Sequence, residues 1–176
     1  MRWSRHPFAS LRGVAQQPAV RDMTLSSTPG ALKRFRQSPG RFQQTFQTPL
    51  KDLERFVSTM FSTHSPPERG CVTIDEVVFE PRTLNSFLAQ HSISGELGSD
   101  MSLEATGTQE VEALLCSTLA DWIDFLFVPT PKPFVIYADH DEYTTFYANS
   151  KGNLNRVVDA LSGKGFQKVE DYERHL

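Results

Sequence analysis

Cysteine is the first scarcity: the 176 residues hold two, Cys71 and Cys116. Neither belongs to a Cys-x-x-Cys pair or to any spacing of the zinc type, so no disulfide framework and no structural zinc site is expected. Each reads as a small buried apolar residue, which suits a reducing compartment. Long apolar runs are missing as well. No stretch approaches the roughly eighteen residues of a membrane span, and the start lacks the apolar core of a secretory signal. A soluble protein with no membrane partner is the expectation.

Acids are nearly absent from the first 50 positions, where Asp22 stands against eight Arg or Lys residues. The other 126 positions carry 10 basic and 20 acidic side chains, so a segment of +7 precedes a body of −10. Such a body repels phosphate backbones over its general surface and leaves the N-terminal segment as the plausible polyanion contact. Catalytic signatures are also lacking. There is no Gly-rich phosphate loop, no Gly-x-Ser-x-Gly elbow and no His-Glu-x-x-His, and no cofactor is expected.

What is present begins with residues 1 to 22, rich in Arg and almost free of acid. That composition matches an organellar transit peptide, which would place the protein in an organellar matrix. Competing readings are a disordered tail, or an upstream extension with Met23 opening the protein, both compatible with the cytoplasm. From Thr24 to Gln47, the Pro-Gly and Gln-rich stretches read as linker. Residues 1–47 are thus expected to form a basic flexible arm, and 48–176 a single domain. Within the arm Lys33, Arg34, Phe35, Arg36, Arg41 and Phe42 interleave cations and rings, the composition that single-stranded nucleic acid binders use. The alternative is a basic linker whose phenylalanines pack on the acidic body.

In the body, Thr48-Pro49 reads as the cap of a helix carrying Leu50, Leu53, Phe56, Val57, Met60 and Phe61 on one face. Cys71 to Phe79 has strand composition, and Leu84, Phe87, Leu88 and His91 mark a short helix. Ser92 to Gly107 reads as a mobile loop. Thr108 then opens a helix of about twenty residues, with Leu114, Leu115, Leu119, Trp122, Ile123 and Leu126 facing the core and Asp121 and Asp124 solvated. The C-terminal stretch from Pro133 reads as strand, strand, helix, strand. The fold class predicted is α+β: a small, mostly antiparallel sheet with a C-terminal β-β-α-β unit, packed with two or three amphipathic helices behind a disordered basic arm.

Candidate function centres on the first hairpin of that unit. Its turn, Asp139, His140, Asp141 and Glu142, is the densest cluster of potential ligands in the chain. It could hold a divalent cation or supply an acid and a base for a small metal-dependent enzyme. Consecutive strand residues point to opposite faces, however, and Asp favours turns for local reasons, so no metal is assigned there. Tyr137, Tyr143 and Tyr147 put rings on the flanking strands, on both faces, one of which an antiparallel pair can leave open. The function expected is non-enzymatic: an inhibitor- or adaptor-type domain engaging a protein partner through this acidic, tyrosine-bearing face or hairpin tip. The alternatives are nucleic-acid binding through the arm and the metal-dependent enzyme.

Overall fold

The computed structural model describes residues 22–170 together with Tyr172 and Arg174. These form one eight-stranded sheet with five helices, and every strand pairing is antiparallel. The strands are β1 (Met23–Ser27), β2 (Phe42–Gln47), β3 (Arg69–Val77), β4 (Met101–Thr106), β5 (Ile123–Thr130), β6 (Val135–Ala138), β7 (Tyr143–Ala148) and β8 (Lys168–Val169). Their order across the sheet is β1-β4-β3-β5-β6-β7-β2-β8. The helices are α1 (Ala31–Gln37), α2 (Leu53–Phe61), α3 (Arg82–Gln90), α4 (Thr108–Leu119) and α5 (Lys151–Gly163). The α+β class and the antiparallel sheet agree with expectation; the sheet is larger and the helices more numerous.

Period-two alternation divides the sheet into two faces. On the first, Val72, Ile74, Leu103, Phe125, Phe127, Ile136 and Phe146 meet α2, α3, α4 and α5 in the main core. Gly70 lies in this layer because a Cβ there would sit 2.7 Å from atoms of both Phe127 and Val111. On the second face, Leu126, Val135, Tyr137 and Tyr147 are covered by Leu32 and Phe35 of α1. The row continues in polar side chains, Thr73 bonded to Ser102 at 2.9 Å and Thr45 to Thr145 at 2.8 Å.

Several expectations are corrected here. Residues 23–47 are not a linker: β1 is an edge strand, and β2 lies between β7 and β8. Five strands separate β1 from β2 in the sheet, about 29 Å at ordinary strand spacing, so the connection must cross a face of the sheet, and α1 lies on that crossing. Residues 1–21, with the transit, tail and extension readings, lie outside the described residues. The helix from Thr108 stops at Leu119, and Ile123 to Thr130 is the strand β5 next to the middle of the sheet. Its β-branched and aromatic residues bury both faces, which a helix could not do with consecutive positions. The stretch read as a mobile loop contains β4, paired on both sides. Helix α2 opens at Leu53 with Asp52 as its N-cap, and the Thr48 hydroxyl instead pairs with that of Thr144 at 2.7 Å.

Candidate functional site

Three connections meet at one corner: the β3–α3 turn, the α4–β5 turn and the β6–β7 hairpin tip. Between them lies a cavity of about 750 Å³ lined by Phe79, Glu80, Arg82, Thr83, Ala120, Asp121, Trp122 and His140. Trp122 was expected in the core and is 39% exposed. With the helix ended at Leu119, the chain must reverse into β5 within three residues, and Trp122 takes φ +50° to do so. A left-handed backbone is unusual for a bulky residue, and here it throws the indole outward. Its ring meets that of Phe79 edge to face, with centroids 6.3 Å apart and planes at 72°. Phe79 is 55% exposed, so two of the four large apolar side chains exposed among the described residues pack on each other here.

The acids around this corner have distinct tasks. Asp121, expected to be solvated, is buried and accepts the backbone N–H groups of Thr83 at 3.2 Å and Leu84 at 2.7 Å. It thereby caps α3, satisfying N–H groups that a helix start leaves open. Asp124, also expected to be solvated, is buried on β5 and accepts both the His140 backbone N–H at 2.7 Å and its ring Nδ1 at 2.8 Å. That hydrogen bond to Asp124 raises the His140 pKa above the ordinary histidine value, against a small desolvation. Outside the cavity lining, Glu142 Oε1 accepts the Trp122 indole N–H at 3.1 Å.

The hairpin turn is therefore real, and its four side chains diverge. Asp139 is buried; it accepts the N–H groups of Asp141 and Tyr143, each at 3.0 Å, and pairs with Arg174. His140 goes to Asp124, Asp141 points into solvent, and Glu142 goes to Trp122. The His140 Nε2 lies 3.9 Å from Asp141, too far for a hydrogen bond. Among the described residues no group of three His, Cys, Asp or Glu side chains is placed to hold a metal ion. The expectation of a wholly solvated turn is corrected at Asp139, which anchors it from inside.

The tyrosines are not an open face. Tyr137 and Tyr147 are buried, with Phe35 of α1 stacked on the first at 6.2 Å and edge-on to the second at 5.3 Å. The Tyr137 hydroxyl donates to Asp75 at 2.7 Å, and the Arg174 guanidinium lies 4.6 Å over its ring. Burial pushes the pKa of both phenols up. Tyr143 is half-buried against Tyr172, with centroids 4.9 Å apart. The basic and aromatic residues of the expected arm are also partly committed: Phe35 is in the second core, and Arg36 pairs with Asp75. Lys33, Arg34, Arg41 and Phe42 remain exposed. Neither cysteine has the marks of a nucleophile, since burial raises both thiols, Cys116 to about 12.

Phe79, Glu80, Arg82 and Trp122 were not read as a site from the sequence. A signal existed: Glu80-Pro81 marks a turn just after Phe79, and Phe125-Leu-Phe-Val128 is a short apolar run of buried-strand type, which would have ended α4 before Trp122. Among the described residues no helix is long and apolar enough to cross a membrane. Comparison of the chain with protein-family models, curated proteins and solved structures finds no match.

Proposed function

We propose that this protein is a non-enzymatic protein-binding domain of inhibitor or adaptor type. Its contact surface is the β6–β7 hairpin tip together with the Phe79–Trp122 corner. The observation that carries the reading is the exposed, mutually packed pair Phe79 and Trp122, with Glu142 bonded to the indole and Asp141 next to His140 of the same cavity. Aromatic side chains ringed by polar ones are the usual centre of a protein contact, because they contribute large desolvated area at little conformational cost. The strain at Trp122 adds weight. A bulky residue in the left-handed region costs about 1–2 kcal/mol, which folding alone would avoid with glycine. The site is lined by groups that bind and position: Asp121 caps α3, and His140 is held by Asp124 from behind the lining. Two free cysteines suit a reducing compartment such as the cytoplasm.

The test is comparative affinity capture from cells expressing the protein, with the full chain and with a Phe79→Ser, Trp122→Gly double variant as baits. Both baits are first shown to be folded by circular dichroism and by a cooperative urea transition. The expected result is a partner held by the first bait and lost from the second. If every captured protein binds both baits equally, the corner is not the contact surface and the reading fails.

A further inference from the structure

We infer that the Phe79–Trp122 corner receives an arginine side chain presented by the partner protein. The inference rests on the protein-binding reading above and adds the chemistry of what is bound. The two rings stand at 72° with centroids 6.3 Å apart, and both are exposed. Two walls at nearly a right angle do not close a box around a spherical ammonium group, but they suit a flat one: a guanidinium stacks on the indole face while its edge stays free for hydrogen bonds. Trp offers the strongest cation-binding face of the aromatic side chains. Here its Nε1–H donates to Glu142, which leaves more electron density on the ring. Glu142 engages the indole through Oε1 and its Oε2 takes no hydrogen bond among the described residues, so the carboxylate next to the indole can pair with a guanidinium edge, a charge-assisted bond about twice as strong as a neutral one.

Charge complementarity points the same way. The cations that face the cavity are already occupied: Arg82 is paired with Glu80 at 3.1 Å, and His140 with Asp124. Next to the lining stand Glu142, bonded to Trp122, and the exposed Asp141, 3.9 Å from His140, in a body carrying twice as many acids as bases beyond residue 50. An acidic or phosphorylated segment would find only Arg82 and His140, each already paired with a carboxylate, and a purely apolar one would strip water from the Glu142 carboxylate without replacing its hydrogen bonds. An arginine satisfies the ring and the carboxylate together.

The chain has two tryptophans, so a Trp3→Phe version leaves Trp122 as the one reporter. Its fluorescence and indole N–H resonance are followed while the tripeptides Gly-Arg-Gly, Gly-citrulline-Gly and Gly-Leu-Gly are titrated in separately, in the millimolar range. Citrulline has the shape of arginine without its charge. The arginine peptide should give a saturable shift, the citrulline peptide one about tenfold weaker, and the leucine peptide none. Glu142→Gln keeps an acceptor for the indole and should weaken the arginine peptide several-fold, as should raising the salt concentration. The inference is overturned if citrulline binds as well as arginine, if Glu142→Gln has no effect, or if the arginine peptide gives no saturable shift. If it fails while the Phe79→Ser, Trp122→Gly bait still loses its partner, the protein-binding reading stands with a different ligand chemistry. If capture fails too, both fall.

Discussion

Trp122 and Asp139 reverse the roles that residue type alone assigns them. A tryptophan on a core helix would cost about 3–5 kcal/mol to truncate. This one is exposed, in a left-handed turn, and its N–H is held by a surface carboxylate. Trp122→Gly should therefore leave stability unchanged or raise it by about 1 kcal/mol, because glycine takes φ +50° freely. A urea transition moved to lower midpoint would contradict this. Asp139 runs the other way. It is 6% exposed, closes the turn with two backbone N–H groups and faces the Arg174 guanidinium. Asp139→Ala leaves those groups unpaired and should cost about 3 kcal/mol or more, whereas Asp141→Ala, on the exposed neighbour, should fall within about 0.5 kcal/mol. Equal denaturation midpoints for the two variants would show that the turn is not anchored from inside.

His140 supplies a pH dependence at the same scale. Its hydrogen bond to Asp124 raises the folded-state pKa above that of the unfolded chain. The charged imidazole is then favoured by folding. That contribution is fully present below the unfolded value of about 6.5 and is lost as pH rises through the higher folded one. Asp141 and Glu76, the other charged groups named against His140, act in the same direction. His64, whose pKa burial lowers, acts in the opposite direction in both proteins, so the readout is the difference: the stability advantage of the wild type over Asp124→Asn, measured by urea titration, should shrink as pH rises from about 6. Parallel curves for the two proteins would count against it.

Among the elements, α1 has a role out of proportion to its seven residues. A helix that short is marginal by itself, and Arg34 and Arg36 in its last turn add little. Phe35 holds it on the sheet, seated against Tyr137 and Tyr147, with Leu32 beside it. Phe35→Ala should cost about 3–4 kcal/mol and uncover the two phenols. The uncovering is readable as a fall of the Tyr137 and Tyr147 pKa values toward the ordinary tyrosine value, followed by ultraviolet titration. Unchanged phenol titration in the folded variant would mean that another segment covers this face. β5 is the counterpart on the main core, where Phe125 and Phe127 are fully buried between α4 and the sheet. The apolar spacing that continues from α4 into β5 is a coincidence of composition, and the run of β-branched and aromatic residues after Trp122 decides for strand.

For the molecule as a whole, residues 23–47 belong to the folded body, as β1, α1 and β2. A chain beginning at residue 48 would lose an edge strand, the cover of the second face and the strand between β7 and β8. It should fail to fold, giving no cooperative thermal transition and a collapsed amide spectrum, while a chain beginning at Asp22 should keep both. A cooperative transition in the shorter chain would show that β3 to β7 suffice.

The sequence by itself determined the α+β class, the antiparallel C-terminal hairpin with its turn at Asp139 to Glu142, and the helices around Phe56, Phe87 and Val157. All of these follow from local periodicity, turn chemistry and the alternation of side chains on a strand. Tertiary structure alone decided that β1 and β2 join opposite parts of one sheet, that β4 pairs on both sides although Ser, Thr and Glu fill half its positions, and that Tyr137 and Tyr147 are covered. Partners far apart in the chain make these pairings, and a strand's weak local signal is overridden by the ladder it completes. The candidate site belongs to the same class. Phe79, Trp122 and Glu142 come from three separate connections, and no spacing along the chain records that the sheet ends all three at one corner.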